Sequence, residues 1–186
     1  MTDAQMSELV GLVLAGKKEA FEIIYNETII STYRTLYFLT SSERDAEDIA
    51  QNVYLEVYRT LSNFQMNRSL RSWIYGIMIR QFQSHKRKRW REHRKVQKDY
   101  ALQVHIPITI EESVLDKDHN DEIISKLNAL SDKLKHVLVL RYVNDLSQQE
   151  IADILEIPLG TVKSRLNQAL KRMRQMIGRE EHAGAR

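Results

Sequence analysis

Thr161, Ser164, Asn167, Gln168, Lys171 and Gln175 recur at helical spacing near the C-terminal end of the chain, flanked by Lys163 and Arg165. Hydroxyls and amides in such a row can reach base edges in a DNA groove, and the cations can reach guanine or phosphate. Thr161 to Arg179 holds six basic residues and no acid. A second cationic run, His85-Lys-Arg-Lys-Arg-Trp-Arg91, is by itself equally consistent with phosphate contact and with a solvated helix face. Other chemistries find less material. Asp45 and Asp48 could form a carboxylate cluster, yet no Gly-rich phosphate loop or nucleophile motif accompanies them. The absence of cysteine removes thiol catalysis, thiolate zinc sites and disulfides. The six histidines, at 85, 93, 105, 119, 136 and 182, never stand at i, i+4, so no helical metal pair exists. No cofactor and no metal are expected.

The elements that must carry these side chains are helical. Six Gly and two Pro in 186 residues, with abundant Leu, Ile, Glu, Lys and Arg, point to an all-α fold. Asp3 can cap a helix running to about Ala15, and a second helix fits Lys17 to Leu39 with Phe21, Ile24, Tyr25, Leu36 and Tyr37 inward. Ser42-Glu-Arg-Asp45 opens a third, whose stripe is Ala46, Ile49, Ala50, Val53, Val57 and Leu61. After a polar connection from Ser62 to Ser69, a fourth carries Leu70, Trp73, Ile74, Ile77 and Phe82 inward. Periodicity fails from about Val96 to Lys117, where His105-Ile-Pro107-Ile-Thr-Ile110 reads as extended linker. It resumes with Ile123, Leu127 and Leu130, then Leu134, Val137, Leu138 and Tyr142. Ser147-Gln-Gln-Glu150 is a capping box, Glu156-Ile157-Pro158 a tight turn, and a last helix begins near Leu159 with Val162, Leu166, Ala169, Leu170, Met173 and Ile177 buried. That is a helix-turn-helix with a recognition helix.

Charge follows the same divisions. The net +3 conceals 5 basic and 10 acidic residues in 1–60, 11 and 2 in 61–100, 2 and 6 in 101–130, and 10 and 7 in 131–186. Two basic segments separated by an acidic one suit two polyanion contacts joined by a spacer. No apolar run is long enough for a membrane span and no signal peptide is present, so a soluble cytoplasmic protein is expected.

Leu134-Lys-His-Val-Leu-Val-Leu-Arg-Tyr-Val-Asn-Asp-Leu-Ser147, Gln149-Glu-Ile-Ala152 and Pro158-Leu-Gly-Thr-Val-Lys-Ser-Arg-Leu166 resemble region 4 of extracytoplasmic-function (ECF) sigma factors. Asp45-Ala-Glu-Asp-Ile-Ala-Gln51 and Leu70-Arg-Ser-Trp-Ile-Tyr75 resemble their region 2. The resemblance implies two small helical domains joined by an extended linker: region 2 over 1–95, linker 96–117, region 4 over 118–180, and a disordered tail 181–186. It implies a non-enzymatic sigma factor that binds core RNA polymerase and promoter DNA. Asp45, Asp48, Gln51, Asn52 and Glu56 would dock on the β′ clamp helices, and the β subunit completes the contact. Asn63, Gln65, Asn67 and Arg68 would form the pocket for the −10 element, with Arg71, Arg80, Lys86, Arg87 and Lys88 on phosphates. Trp73 shares the inward stripe, so core packing is expected of it; Trp90 is a second stacking candidate. Region 4 would read the −35 element through Thr161, Lys163, Ser164, Asn167 and Gln168, with Arg165, Lys171 and Arg172 on phosphate. Acids Glu111, Glu112, Asp116 and Asp118 could line a polymerase channel. An anti-sigma factor, often membrane-anchored in the family, is the further partner implied.

The chain departs from the family at Ile77-Met-Ile-Arg80, where Ile-Ala-Arg-Asn is usual, at Ser84 for a common Asp, and in lacking Gly between Phe64 and Ser69. These positions bear on which −10 sequence is preferred. A 22-residue linker reaches at most about 70–80 Å at roughly 3.3–3.6 Å per residue, or roughly 20 base pairs at about 3.4 Å each. Two alternatives remain at this stage: a stand-alone helix-turn-helix regulator with an N-terminal interaction domain, and a hydrolase or transferase built on Asp45 and Asp48. If the recognition helix is assigned correctly, Lys163→Ala weakens promoter recognition far more than Lys126→Ala.

Overall fold

The structure, a computed structural model, describes residues 1–94 and 117–183. It consists of α1 (Asp3–Leu14), α2 (Glu19–Thr40), α3 (Glu43–Thr60), a 3-10 turn at Leu61–Asn63, α4 (Leu70–Arg94), α5 (Lys117–Asn128), α6 (Asp132–Tyr142), α7 (Gln148–Leu155) and α8 (Leu159–Ala183). Among the described residues there is no strand, and no helix is long and apolar enough to cross a membrane. Most of the expected linker, with Glu111, Glu112 and Asp116, lies outside the described residues, whereas Asp118 falls in α5. Helix α8 runs to Ala183, into the stretch expected as a disordered tail; 184–186 lie outside the described residues.

Local chemistry accounts for the helix ends. Thr2, not Asp3, caps α1 through a reciprocal box with Gln5, leaving Asp3 in the first turn, where its charge suits the dipole. Ser41 ends α2 in the left-handed region (φ 59°), and Ser42 restarts the chain as the α3 cap, its Oγ accepting from the Asp45 amide at 3.2 Å. This short reversal sets α2 and α3 side by side. Between them the Tyr54 hydroxyl donates to Thr28 Oγ1 at 2.8 Å, and the Thr28 hydroxyl donates to the Ile24 carbonyl at 2.6 Å. A buried phenol thereby meets its hydrogen-bond requirement inside an apolar core, and burial pushes its pKa far up. Helices α1 and α4 close this first bundle around Val10, Ile24, Leu36, Ile49, Val53, Ile74 and Met78.

Helix α6 is buried along its whole length from Leu134 to Leu140, including Lys135 and His136. One side meets α7 and α8 and the other meets α2, so the two bundles touch through it. This corrects three inward assignments. Ile124, not Ile123, is buried in α5; Tyr142 is 61% exposed; and Ile177 is 45% exposed, with Met176 packing in its place.

His136 sits edge-on against Phe82 of α4, ring centroids 5.5 Å apart, and its buried Nε2 has no hydrogen-bond partner. Burial pulls its pKa down to about 4, against the opposing pull of Asp132 and with help from Lys86 of α4, Lys135 and Arg165 of α8. The unfolded chain gains this proton below about pH 6.5, whereas the native state resists it until about pH 4. Stability is therefore full above the upper limit and falls as pH drops through that window. Urea unfolding at pH 5 is expected to show about 2 kcal/mol less stability than at pH 7 from this group. His136→Leu should remove most of that difference; an unchanged pH dependence in the variant would contradict the assignment.

Candidate nucleic-acid interface

The helix-turn-helix is built from short-range chemistry. Ser147 Oγ accepts from the Glu150 amide at 3.2 Å and Glu150 Oε2 from the Ser147 amide at 2.8 Å, closing the box that starts α7. Glu156 stops α7 in the left-handed region (φ 53°), and Pro158 precedes the restart at Leu159. Ile151, Val162, Leu166 and Ala169 are buried beneath the turn. The row expected to meet bases then faces out. Lys163, Ser164, Asn167, Gln168, Lys171 and Arg172 are exposed, and Thr161 and Arg165 half-buried. Ser164 Oγ donates to the Thr161 carbonyl at 3.0 Å, a bond it can exchange for a base edge. No carboxylate stands between Leu159 and Ile177 to repel a phosphate backbone.

The second candidate surface lies along α4. Asn63, Gln65, Asn67 and Arg68 are all exposed on the connection before it, as are Arg71, Arg80, Arg87 and Lys88 on the helix. Phe64 is the buried anchor of that connection, its ring 5.4 Å from Trp73. Trp73 is partly buried against the core, as its stripe predicts, and also lines a cleft of about 570 Å³. Arg68, Ser69, Ser72, Gly76 and Arg80 line the same cleft, while Arg71 does not. Arg80 lies over Gly76, and a β-carbon there would meet Nη1 at 3.6 Å, an ordinary contact. The opposite wall is Glu150, Asp153, Ile154 and Glu156 of the helix-turn-helix. Ser72 Oγ donates to Glu150 Oε1 at 3.2 Å across it. Burial pushes the Glu150 carboxyl up, but bonds from Ser147 and Ser72 outweigh it and hold the group below its usual range. Lys86 is drawn away from this surface into an ion pair with Asp132. Trp90 is 58% exposed farther along the helix.

On α3, Asp48, Gln51, Asn52 and Glu56 lie off the buried stripe, with Asn52 exposed and the others half-buried. Asp45 is placed differently. Its carboxylate is tied to Arg89 of α4 and stands 3.9 Å from His85, and it is 16% exposed, so it braces α3 against α4. Leu55, 55% exposed between Asn52 and Glu56, is a member of this face that the sequence reading missed. Its signal was legible: a leucine off the stripe of an otherwise regular amphipathic helix. Ser72 and Gly76 carried no such signal. Lys126 is buried and paired with Glu122, which disqualifies it as a silent control; exposed Lys133 replaces it. Among the described residues, no three His, Asp or Glu side chains are grouped to hold a metal.

The family profiles match where this geometry lies. Sigma-70 region 2 matches residues 25–92 and Sigma-70, region 4, matches residues 120–173. The region 2 match, upstream of region 4, sets aside the stand-alone regulator. The chain is 29% identical over 180 residues to the ECF RNA polymerase sigma factor SigW of Bacillus subtilis, covering 89% of this chain and 92% of that one. It is 30% identical over 137 residues to the RNA polymerase sigma factor HrpL of Pseudomonas syringae, covering 72% and 73%. In fold it is similar to the sigma factor RpoE of Bartonella quintana, solved with the anti-sigma factor NepR, with a TM-score of 0.70, 23% identity and coverage of 85% and 96%. With both regions matched in order across two helical bundles, the chain belongs to the ECF sigma factors, which direct promoter-specific transcription initiation by RNA polymerase.

Proposed function

We propose that the duties of a sigma factor divide among three surfaces of this chain. Residues 1–95 act as region 2, 118–180 as region 4, and 96–117 as the tether between them. Asp48, Gln51, Asn52 and Glu56, with Leu55 as an apolar anchor, dock on the β′ clamp helices of core polymerase, and Asp45 holds α3 in place for them. Arg68 and Arg80 hold the backbone of the melted −10 strand, while Asn63, Gln65 and Asn67 present donors and acceptors to its bases. Lys163, Ser164, Asn167 and Gln168 read the −35 duplex, and Arg165, Lys171 and Arg172 grip its phosphates. The chain does no covalent chemistry of its own and acts in the cytoplasm, where core polymerase is. An anti-sigma factor is the partner that the RpoE–NepR likeness suggests.

The observation that carries this reading is the pairing of an acid-free recognition face on α8 with a separate arginine-bearing cleft on α4. Lys163→Ala is expected to weaken −35 binding by holoenzyme about 5- to 150-fold, since one base or phosphate contact is worth about 1–3 kcal/mol. Lys133→Ala should stay within twofold. Footprinting of holoenzyme on a selected promoter measures both, and equal losses would contradict the assignment.

A further inference from the structure

The two walls of the α4 cleft have opposite charge and come from different halves of the chain. Arg68 and Arg80 belong to the first half, Glu150, Asp153 and Glu156 to the second. The halves are held by the packing of α6 on α2 and of His136 on Phe82, with polar bonds around it. Asn144 Nδ2 donates to Thr35 Oγ1 at 2.7 Å, Ser41 Oγ to Asn128 Oδ1 at 2.9 Å, and Lys135 Nζ to the Leu39 carbonyl at 3.4 Å. Lys86 and Asp132 add an ion pair. These polar contacts can be exchanged for water when the halves part. Lys163, Ser164, Asn167, Gln168, Lys171 and Arg172 on the recognition face of α8 remain exposed.

This arrangement cannot read both promoter elements together. Helix α7 packs on α4 and α8 on α7. At about 8–10 Å per helix contact, the two reading surfaces are separated by roughly 20 Å. Elements at −10 and −35 are about 25 base pairs apart, or roughly 85 Å of duplex. We propose that α7 is an intramolecular plug for the −10 cleft: in the free chain Glu150 and Asp153 occupy the place of promoter phosphates beside Arg68 and Arg80, and region 4 must lift off α4 before the strand can enter. The plug rests on the assignment of α4 to the −10 strand. It gives region 4 a second role, as a competitor for the site its partner domain uses.

The cysteine-free chain permits a direct test. The full chain with Ser41→Cys and Asn128→Cys is bridged by a short, reducible bis-maleimide and assayed with core polymerase on a promoter library. The free chain should bridge readily, and the bridged protein should initiate at least about tenfold less than the same protein after reduction, which also shows that the variant folds. A second measurement isolates the acids. Asp153→Asn with Glu156→Gln should bind a random single-stranded oligonucleotide about three- to tenfold tighter than a variant neutralised at Glu19 and Glu22, which leaves net charge equal. No bridge in the free chain, full initiation by the bridged form, or equal oligonucleotide affinity would overturn the plug. If the unaltered chain initiates nowhere in the same assay, the −10 assignment fails and the plug fails with it.

Discussion

Asp48→Lys combined with Glu56→Lys is expected to lower the affinity of the chain for core polymerase by two orders of magnitude or more. Both side chains are half-buried on the outer side of α3, away from the stripe of Ala46, Ile49, Val53 and Val57 that meets the core. Lysine is as good a helix former as glutamate, so the local fold should persist. Two reversed charges against a surface selected for carboxylates place like charges together, which costs several kcal/mol. Leu55 lies between them and contributes through burial: Leu55→Ala alone should lose about 1–3 kcal/mol of binding, in keeping with an apolar anchor inside a polar rim. Fluorescence anisotropy of labelled chain with core polymerase measures both, and circular dichroism checks the fold. A charge-reversed chain that binds within threefold of the original would remove α3 from the interface.

Arg68→Glu with Arg80→Glu is expected to abolish strand opening, lowering open-complex formation by at least about a hundredfold, while polymerase binding stays within a few-fold. The two guanidinium groups line one cleft beside Trp73. A melted strand has no partner strand to pair with, so its backbone charge must be met by fixed cations and its bases by stacking or donors. Replacing two such cations by anions converts attraction into repulsion at the point of entry. Permanganate reactivity of unpaired thymines reports opening independently of binding. Retained reactivity in the variant would move the −10 site off this cleft. Arg71→Glu, on the same helix but outside the cleft, should have a smaller effect.

Much of the fold was legible because local signals and long-range packing agree. Ser42, Ser147 and the apolar stripe of α3 are read the same way in sequence and structure, since a cap and a 3.6-residue stripe are both local properties. The recognition helix was legible for the same reason, with its exposed polar side and buried Val162, Leu166 and Ala169. The contact between the two bundles was not. Helix α6 is enclosed from both sides, so Lys135 and His136 are buried although their types suggest a solvent face. Periodicity describes one buried side and has no means of showing a helix with two. Asp45 was grouped with the docking acids by the family resemblance, whereas its ion pair with Arg89 depends on α4 folding back alongside α3. The same long-range return creates the cleft: Arg80 was chosen for its charge, but Ser72 and Gly76 gain their place from the helix opposite.

Initiation reconstituted from purified parts tests the account most directly. The chain is mixed with core RNA polymerase on a library of promoter-length DNA, and the 5′ ends of the transcripts are sequenced. Start sites absent with core alone are expected, sharing one upstream and one proximal sequence element, with Lys163→Ala disturbing the upstream element and Arg80→Glu abolishing the starts. No start sites above core alone, under conditions where a control sigma factor succeeds, would contradict it.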